Sequence, residues 1–271
     1  MQIRFQNTTS YPDVNQILGE LIPRIQAVLV IDLIGIYLDG SLVIGDFDEA
    51  SDIDFIAVAR SDVTTEQFRV LQEVHDHVSR LNLRLAIQIE GFYVPLRALC
   101  RLDTIELTCP NLERGLGERL KYVRLGAGWE VHKWVLREYG HALVGPAPSE
   151  LIDEVTPGDL RRAMQQILNG WITQLLVDPA PLCQIGYQSY TILSLSRILY
   201  TLINGTVVSK VVAASWARDN VEARWVPVIN AALKTRLDSE RGSTPEEILA
   251  ATEFAGYVLT ESKKIRVNTL A

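Results

Sequence analysis

The feature that most constrains the fold is a pair of apolar runs, LIGIYL (33–38) and DIDFIAVA (52–59), joined by the polar link DGSLVIGDFDEAS (39–51). Both runs are short, rich in aliphatic and β-branched residues and bounded by turn formers, which predicts buried strands. Segments of helical period flank them. From Asp13, Val14, Ile17, Leu18, Leu21 and Ile25 recur on one face, and TTEQFRVLQEVHDHVSR (64–80) places Phe68, Leu71, His75 and Val78 together behind a Thr64/Gln67 capping box. LRLAIQIEGFYV (83–94) predicts a third strand. Strands alternating with helices require an α/β layer domain, here a small mixed sheet with helices.

The pattern then changes. VGPAP (144–148) and TPG (156–158) break the chain, and the remainder has helical periodicity. The boundary is placed at 155, so 1–155 is read as the α/β domain and 156–271 as an all-α bundle. Asp159 is expected to cap a helix reaching about Val177. Tyr187–Asn204 carries Ile192, Leu195, Ile198, Leu199 and Leu202 at helical spacing and closes at Asn204-Gly205. Ser209 is expected to cap a helix through Asp219, another comes after Val221, and Ser243-Thr244-Pro245-Glu246-Glu247 starts the last.

Composition narrows the function classes. With 26 Lys and Arg against 33 Asp and Glu, the net charge is −7, so duplex nucleic acid is excluded as the main partner and a cationic substrate suits the field better. Three cysteines, Cys100, Cys109 and Cys183, lack paired metal spacing and are odd in number, which points to a reducing cytoplasm rather than a zinc site or disulfide framework. The N-terminal MQIRFQNTTSYPD has no apolar h-region, and AVLVIDLIGIYL is short for a span and interrupted by Asp32, so neither a secretion signal nor a membrane anchor is expected.

The chemistry is concentrated around Gly40-Ser41 and Asp52-Ile53-Asp54. Residues i and i+2 of a strand share a face, so Asp52 and Asp54 converge while Ile53 and Phe55 point the other way. Two carboxylates so close are costly without a cation, and a hard divalent ion such as Mg²⁺ relieves them. Gly40 permits close backbone approach, and Ser41, opening a short helical turn, offers a hydroxyl and an amide to a phosphate. Glu90, the one acid of the third strand, is either a third metal ligand, a general base for an acceptor hydroxyl, or a solvated strand end. Arg197 is the one charge in ILSLSRILYTLI, a setting in which arginine needs either an ion pair or a ligand. Lys210 lies in the first turn of a helix, where a phosphate is favoured. Asp39 either adds a carboxylate to the site or ends the strand. His75, His77, His132 and His141 show no ligand spacing and are read as structural or surface residues; Trp129 and Trp134 are read as core.

Strand, Gly-Ser, loop and D-x-D is the arrangement of the nucleotidyltransferases related to DNA polymerase β. More narrowly, IGIYLDGSLVIGDFDEASDIDFIAVA, HALVGPAPSELIDEV and YTILSLSRILYTLINGTVVSKVVAASWA resemble the aminoglycoside 3″-adenylyltransferases, the streptomycin and spectinomycin adenylyltransferase family. The resemblance covers most of the chain. It implies an enzyme that uses ATP and Mg²⁺ to move AMP to an antibiotic hydroxyl, with the helical domain closing over the nucleotide; a monomer is expected. It further implies Asp52 and Asp54 as metal ligands, Glu90 as base, Gly40, Ser41 and Ser51 near the triphosphate, and Arg197 and Lys210 on ATP. The family's acidic acceptor-contacting positions fall on Cys183 and Tyr187, with only Asp178 nearby, and its common histidine before Gly-Ser is Asp39. Those departures leave open another acceptor (a metabolite, a protein or an RNA end) or a nucleotide-binding regulator without turnover.

Overall fold

The computed structural model describes residues 8–100, 107–237 and 241–265. Helix α1 (Pro12–Leu29) opens with proline in its first turn, where the missing N–H costs nothing, and buries Val14, Ile17, Leu18, Leu21, Ile22, Ile25 and Leu29 on one stripe. Together with the 3₁₀ turn to Asp32 it is long and apolar enough to cross a membrane by length and composition. That apolar stripe is spent within the fold, where α1 packs on α3 (Thr65–Val78) and on β1 (Leu33–Leu38). Helix α3 starts at the anticipated capping box of Thr64 and Gln67.

The sheet continues through α2 (Gly40–Ile44), β2 (Ile53–Ala59), β3 (Ile89–Pro95), β4 (Thr108–Leu112), β5 (Lys121–Arg124), α4 (Trp129–Tyr139), β6 (His141–Val144) and the single turn α5 (Pro148–Leu151). Its strand order is β5-β4-β3-β2-β1-β6. Only β2 and β3 are parallel; the other neighbours run antiparallel. α3 links the parallel pair, as a crossover must.

Two expectations are corrected. The run 83–94 is not one strand: Arg84–Ile87 is a 3₁₀ turn, and β3 starts at Ile89. The turn sinks Leu85 and Ala86 into the core, and strand pairing begins only where Ile53 N–H reaches the Gln88 carbonyl at 2.8 Å. The cap at the start of the helical region is Thr156, not Asp159. Asp159 is the N3 residue of that capping box, returning a bond to the Thr156 N–H at 2.8 Å. Local periodicity does not announce strands β4, β5 and β6 or helix α4; the strands are short, and Pro110 interrupts the apolar pattern of β4.

Two compact units divide the chain. One draws on Met1–Phe47, Ser51–Gly126 and Val135–Glu154, the other on Asp48–Ala50, Ala127–Trp134 and Val155–Ala271, so the division falls within α4. The first unit's core joins α1 and α3 to the sheet. The second is helical: α6 (Pro157–Ile167), a π-helical turn (Leu168–Ile172), α7 (Thr173–Val177), α8 (Ile185–Asn204), α9 (Lys210–Asn220), α10 (Val226–Thr235) and α11 (Pro245–Ser262). α8 is its axis, packed against α6, α9, α10 and α11. It ends at Gly205, whose φ of 70° is the left-handed cap that glycine adopts without a Cβ penalty. Ser209 and Thr244 cap α9 and α11 as their side chains suggest. Trp129 is buried, Trp134 half-buried, and the three cysteines are free thiols.

Candidate active site

The site begins where β1 stops. Asp39 is extended and buried, its N–H bonded to the Asp54 carbonyl at 3.0 Å, so β1 and β2 are still paired as the chain turns. Gly40 then takes φ +67°, and a Cβ there would lie 1.9 Å from Asp54 Oδ2. Glycine is needed twice over, for its backbone conformation and for the carboxylate pressed against it. Ser41 comes next, in the first turn of α2, its Oγ buried and without a hydrogen-bond partner. Such an orphan hydroxyl suits a site built for an external acceptor or donor.

Strand alternation sends Ile53 and Phe55 into the core and leaves Asp54 half-buried on the other side, with Asp52 just ahead of the strand. Gly91 makes room for Phe55, since a Cβ there would meet the ring at 2.0 Å. The parallel register sets Glu90 of β3 directly beside Asp54. Asp52, Asp54 and Glu90 each offer an oxygen within 4.8 Å of the others, the one such group of metal-ligating side chains among the described residues. All three donors are carboxylates, a hard oxygen set that fits Mg²⁺ and not a soft or borderline metal. Ser51, buried, immediately precedes Asp52.

A residue missed in the sequence completes the cluster. Arg114, on the link between β4 and β5, brings Nη1 to 3.3 Å from Asp52 Oδ2. Nothing periodic marks it; its only local signal is the glycine-flanked stretch ERGLGE. Further along, Lys121 pairs with Glu113 at 2.7 Å, which raises its pKa, and the charge of Glu90 adds to the effect.

Beneath the carboxylates the core is neutral. His75 Nε2 lies 2.7 Å from the Tyr93 hydroxyl, and both rings pack on Phe55. Burial pulls the His75 pKa down to about 4 and pushes the Tyr93 phenol well up. His75 is therefore an uncharged structural residue, as its spacing implies, and His132 lies against Trp129 at 5.6 Å.

Arg197 and Lys210 belong to the second unit. Arg197 is half-buried on α8, and Lys210 opens α9 with Nζ 4.4 Å from the centre of the Tyr190 ring. Tyr187 accepts a bond from Trp171 Nε1 at 2.8 Å, and both are grouped with Tyr190. Cys183 is exposed, and Asp178 accepts the Ala180 N–H at 3.1 Å.

Comparison with known proteins gives a consistent similarity. Residues 150–261 match the aminoglycoside adenylyltransferase C-terminal domain. An aminoglycoside (3″)(9) adenylyltransferase of Escherichia coli is 28% identical over 263 residues, covering 93% of this chain and 96% of the relative. The chain resembles the aminoglycoside adenylyltransferases along most of its length. A spectinomycin 9-adenylyltransferase of Campylobacter jejuni is 23% identical over 92% of this chain and 95% of its own. The fold is also that of a spectinomycin adenyltransferase from Enterococcus faecialis, crystallised with ATP and spectinomycin. The TM-score is 0.73 at 18% identity, over 90% of this chain and 98% of that one. The mixed sheet and helix-rich C-terminal region are thus the architecture of that enzyme. Together with the named adenylyltransferase relatives, this makes the chain a nucleotidyltransferase.

Proposed function

We propose that this enzyme transfers AMP from ATP to a hydroxyl of a streptomycin- or spectinomycin-type antibiotic and releases pyrophosphate. The observation that carries the reading is the convergence of Asp52, Asp54 and Glu90 within 4.8 Å, beside a Gly40-Ser41 turn whose glycine abuts Asp54. Asp52 and Asp54 hold Mg²⁺, with Glu90 completing the set. When bound, that ion supplies charge stabilisation and a template for the phosphates. Glu90 also takes the proton of the acceptor hydroxyl as its oxygen attacks the α-phosphorus. The new oxygen–phosphorus bond forms as the bond to pyrophosphate breaks, and the electron pair leaves with pyrophosphate. Gly40 lets the polyphosphate approach the backbone, and the unpartnered Ser41 hydroxyl and Ser51 donate to its oxygens. Arg197 and Lys210 bind the nucleotide as well. The enzyme works as a monomer in a reducing cytoplasm, where its thiols stay free, and engages neither membrane nor duplex nucleic acid.

Pyrophosphate release from Mg²⁺-ATP, measured with streptomycin and spectinomycin separately, tests this reading. Turnover with at least one, lost in Asp54→Asn, is the expected result; release with neither overturns the acceptor class. A second reading keeps the chemistry and changes the acceptor. It is favoured by the side chains at the acceptor-contacting positions, where Cys183 and Tyr187 stand in place of carboxylates, with Tyr187 packed against Tyr190. Mg²⁺-dependent binding of ATP without turnover of either antibiotic selects it.

A further inference from the structure

The three carboxylates are not left to repel one another, because Arg114 holds its guanidinium 3.3 Å from Asp52 Oδ2. This contact is longer than the two-oxygen surface pair of Arg97 with Asp62. Arg97, for comparison, reaches both oxygens of Asp62 at 2.6 Å. Arg114 is also nearly half exposed, at 45%, whereas Asp52 keeps only 24% of its side-chain surface. The guanidinium is therefore the more solvated partner of the pair. The loop that carries it is pinned on either side, by the Gly115 N–H on the Ile87 carbonyl at 2.8 Å and the Leu120 N–H on Gln72 Oε1 at 2.8 Å. Gly115 and Gly117, at φ +138° and +79°, shape the turn between those anchors. A fixed backbone with a long, partly solvated side chain keeps the cation within reach of the site.

We propose that Arg114 is a positioning residue that serves as a resident counter-cation. It neutralises Asp52 in the metal-free protein, keeps the carboxylates converged, and is exchanged at Asp52 for the incoming divalent ion. The inference rests on Asp52, Asp54 and Glu90 forming the metal site of the proposed function. Its physical consequence is a competition: two cations at one carboxylate repel each other, so metal affinity in the nucleotide-free protein is lowered by the arginine's charge there. The arginine in return spares the empty site like-charge repulsion.

The test is calorimetric titration of the nucleotide-free full chain with Mn²⁺ at low ionic strength, in wild type, Arg114→Gln, Arg114→Lys and Asp54→Asn, with circular dichroism to verify folding. Arg114→Gln should bind Mn²⁺ about two- to tenfold more tightly than wild type. Arg114→Lys, which keeps the charge, should stay close to wild type. The gap between Arg114→Gln and wild type should shrink as salt screens the pair, a response that a purely structural arginine would not produce. Equal or weaker Mn²⁺ binding by Arg114→Gln overturns the exchange while leaving the metal site standing, provided wild type binds and Asp54→Asn does not. Absence of Mn²⁺ binding in wild type, or binding indifferent to Asp54→Asn, overturns the metal site and this inference with it.

Discussion

Gly40 and Glu90 carry the sharpest demands on residue identity. Any side chain at Gly40 meets Asp54 Oδ2 at 1.9 Å and must also adopt φ +67°, which for an L-residue costs on the order of 1–2 kcal/mol. Gly40→Ala should therefore displace the Asp54 carboxylate, removing most Mg²⁺-dependent pyrophosphate release while lowering the melting temperature only modestly. Retained turnover would show that Asp54 need not occupy its observed place. Glu90→Gln keeps the volume and removes the base. Turnover should drop about 10²- to 10⁴-fold while ATP affinity changes far less, as rapid-quench kinetics beside calorimetric titration would report. A rate equal to wild type would return Glu90 to the role of a solvated strand residue.

Elements matter because they bring these residues into register. The parallel pairing of β2 with β3 is what sets Asp54 beside Glu90, and α3, which links the two strands, is tied to β3 by the buried His75–Tyr93 contact of 2.7 Å. This tie titrates. His75 has a folded pKa of about 4 against an ordinary 6.5, so between these values the unfolded chain binds a proton that the folded chain refuses. The contribution is full above pH 6.5 and is lost as pH falls toward 4, amounting to about 3 kcal/mol at most. Urea midpoints at pH 7 and 4.5 should fall farther apart for wild type than for His75→Gln, which can bond Tyr93 without titrating. Equal drops would assign the acid sensitivity to the carboxylates instead.

At the scale of the whole molecule, each of the two units has its own hydrophobic core. A ligand that binds only the folded protein stabilises it by about 2.7 kcal/mol at a hundredfold excess over Kd. Mg²⁺-ATP should accordingly raise the melting temperature, and Asp54→Asn and Lys210→Ala should each diminish that shift. A full shift in Lys210→Ala would remove Lys210 from the nucleotide site and leave its place over the Tyr190 ring as a packing role.

Local periodicity is enough to read β1, β2, α1, α3 and the main helices of the second unit, because alternation, helical spacing and capping residues act within a few positions of one another. It also makes Asp52 and Asp54 legible as a pair, since a strand puts i and i+2 on one face whatever lies around it. The family resemblance comes from the same kind of contiguous stretches. The position of Glu90 against Asp54 is not readable, nor the start of β3 at Ile89 rather than Leu83, because register is set by a neighbouring strand. Arg114 is invisible for the same reason. Its charge is ordinary in sequence, and only the β3-β4-β5 pairing and a pinned glycine turn carry it to Asp52. What interactions between near neighbours along the chain could specify, the sequence determined; which charges meet was decided by strand pairing and burial, whose partners lie dozens of residues apart.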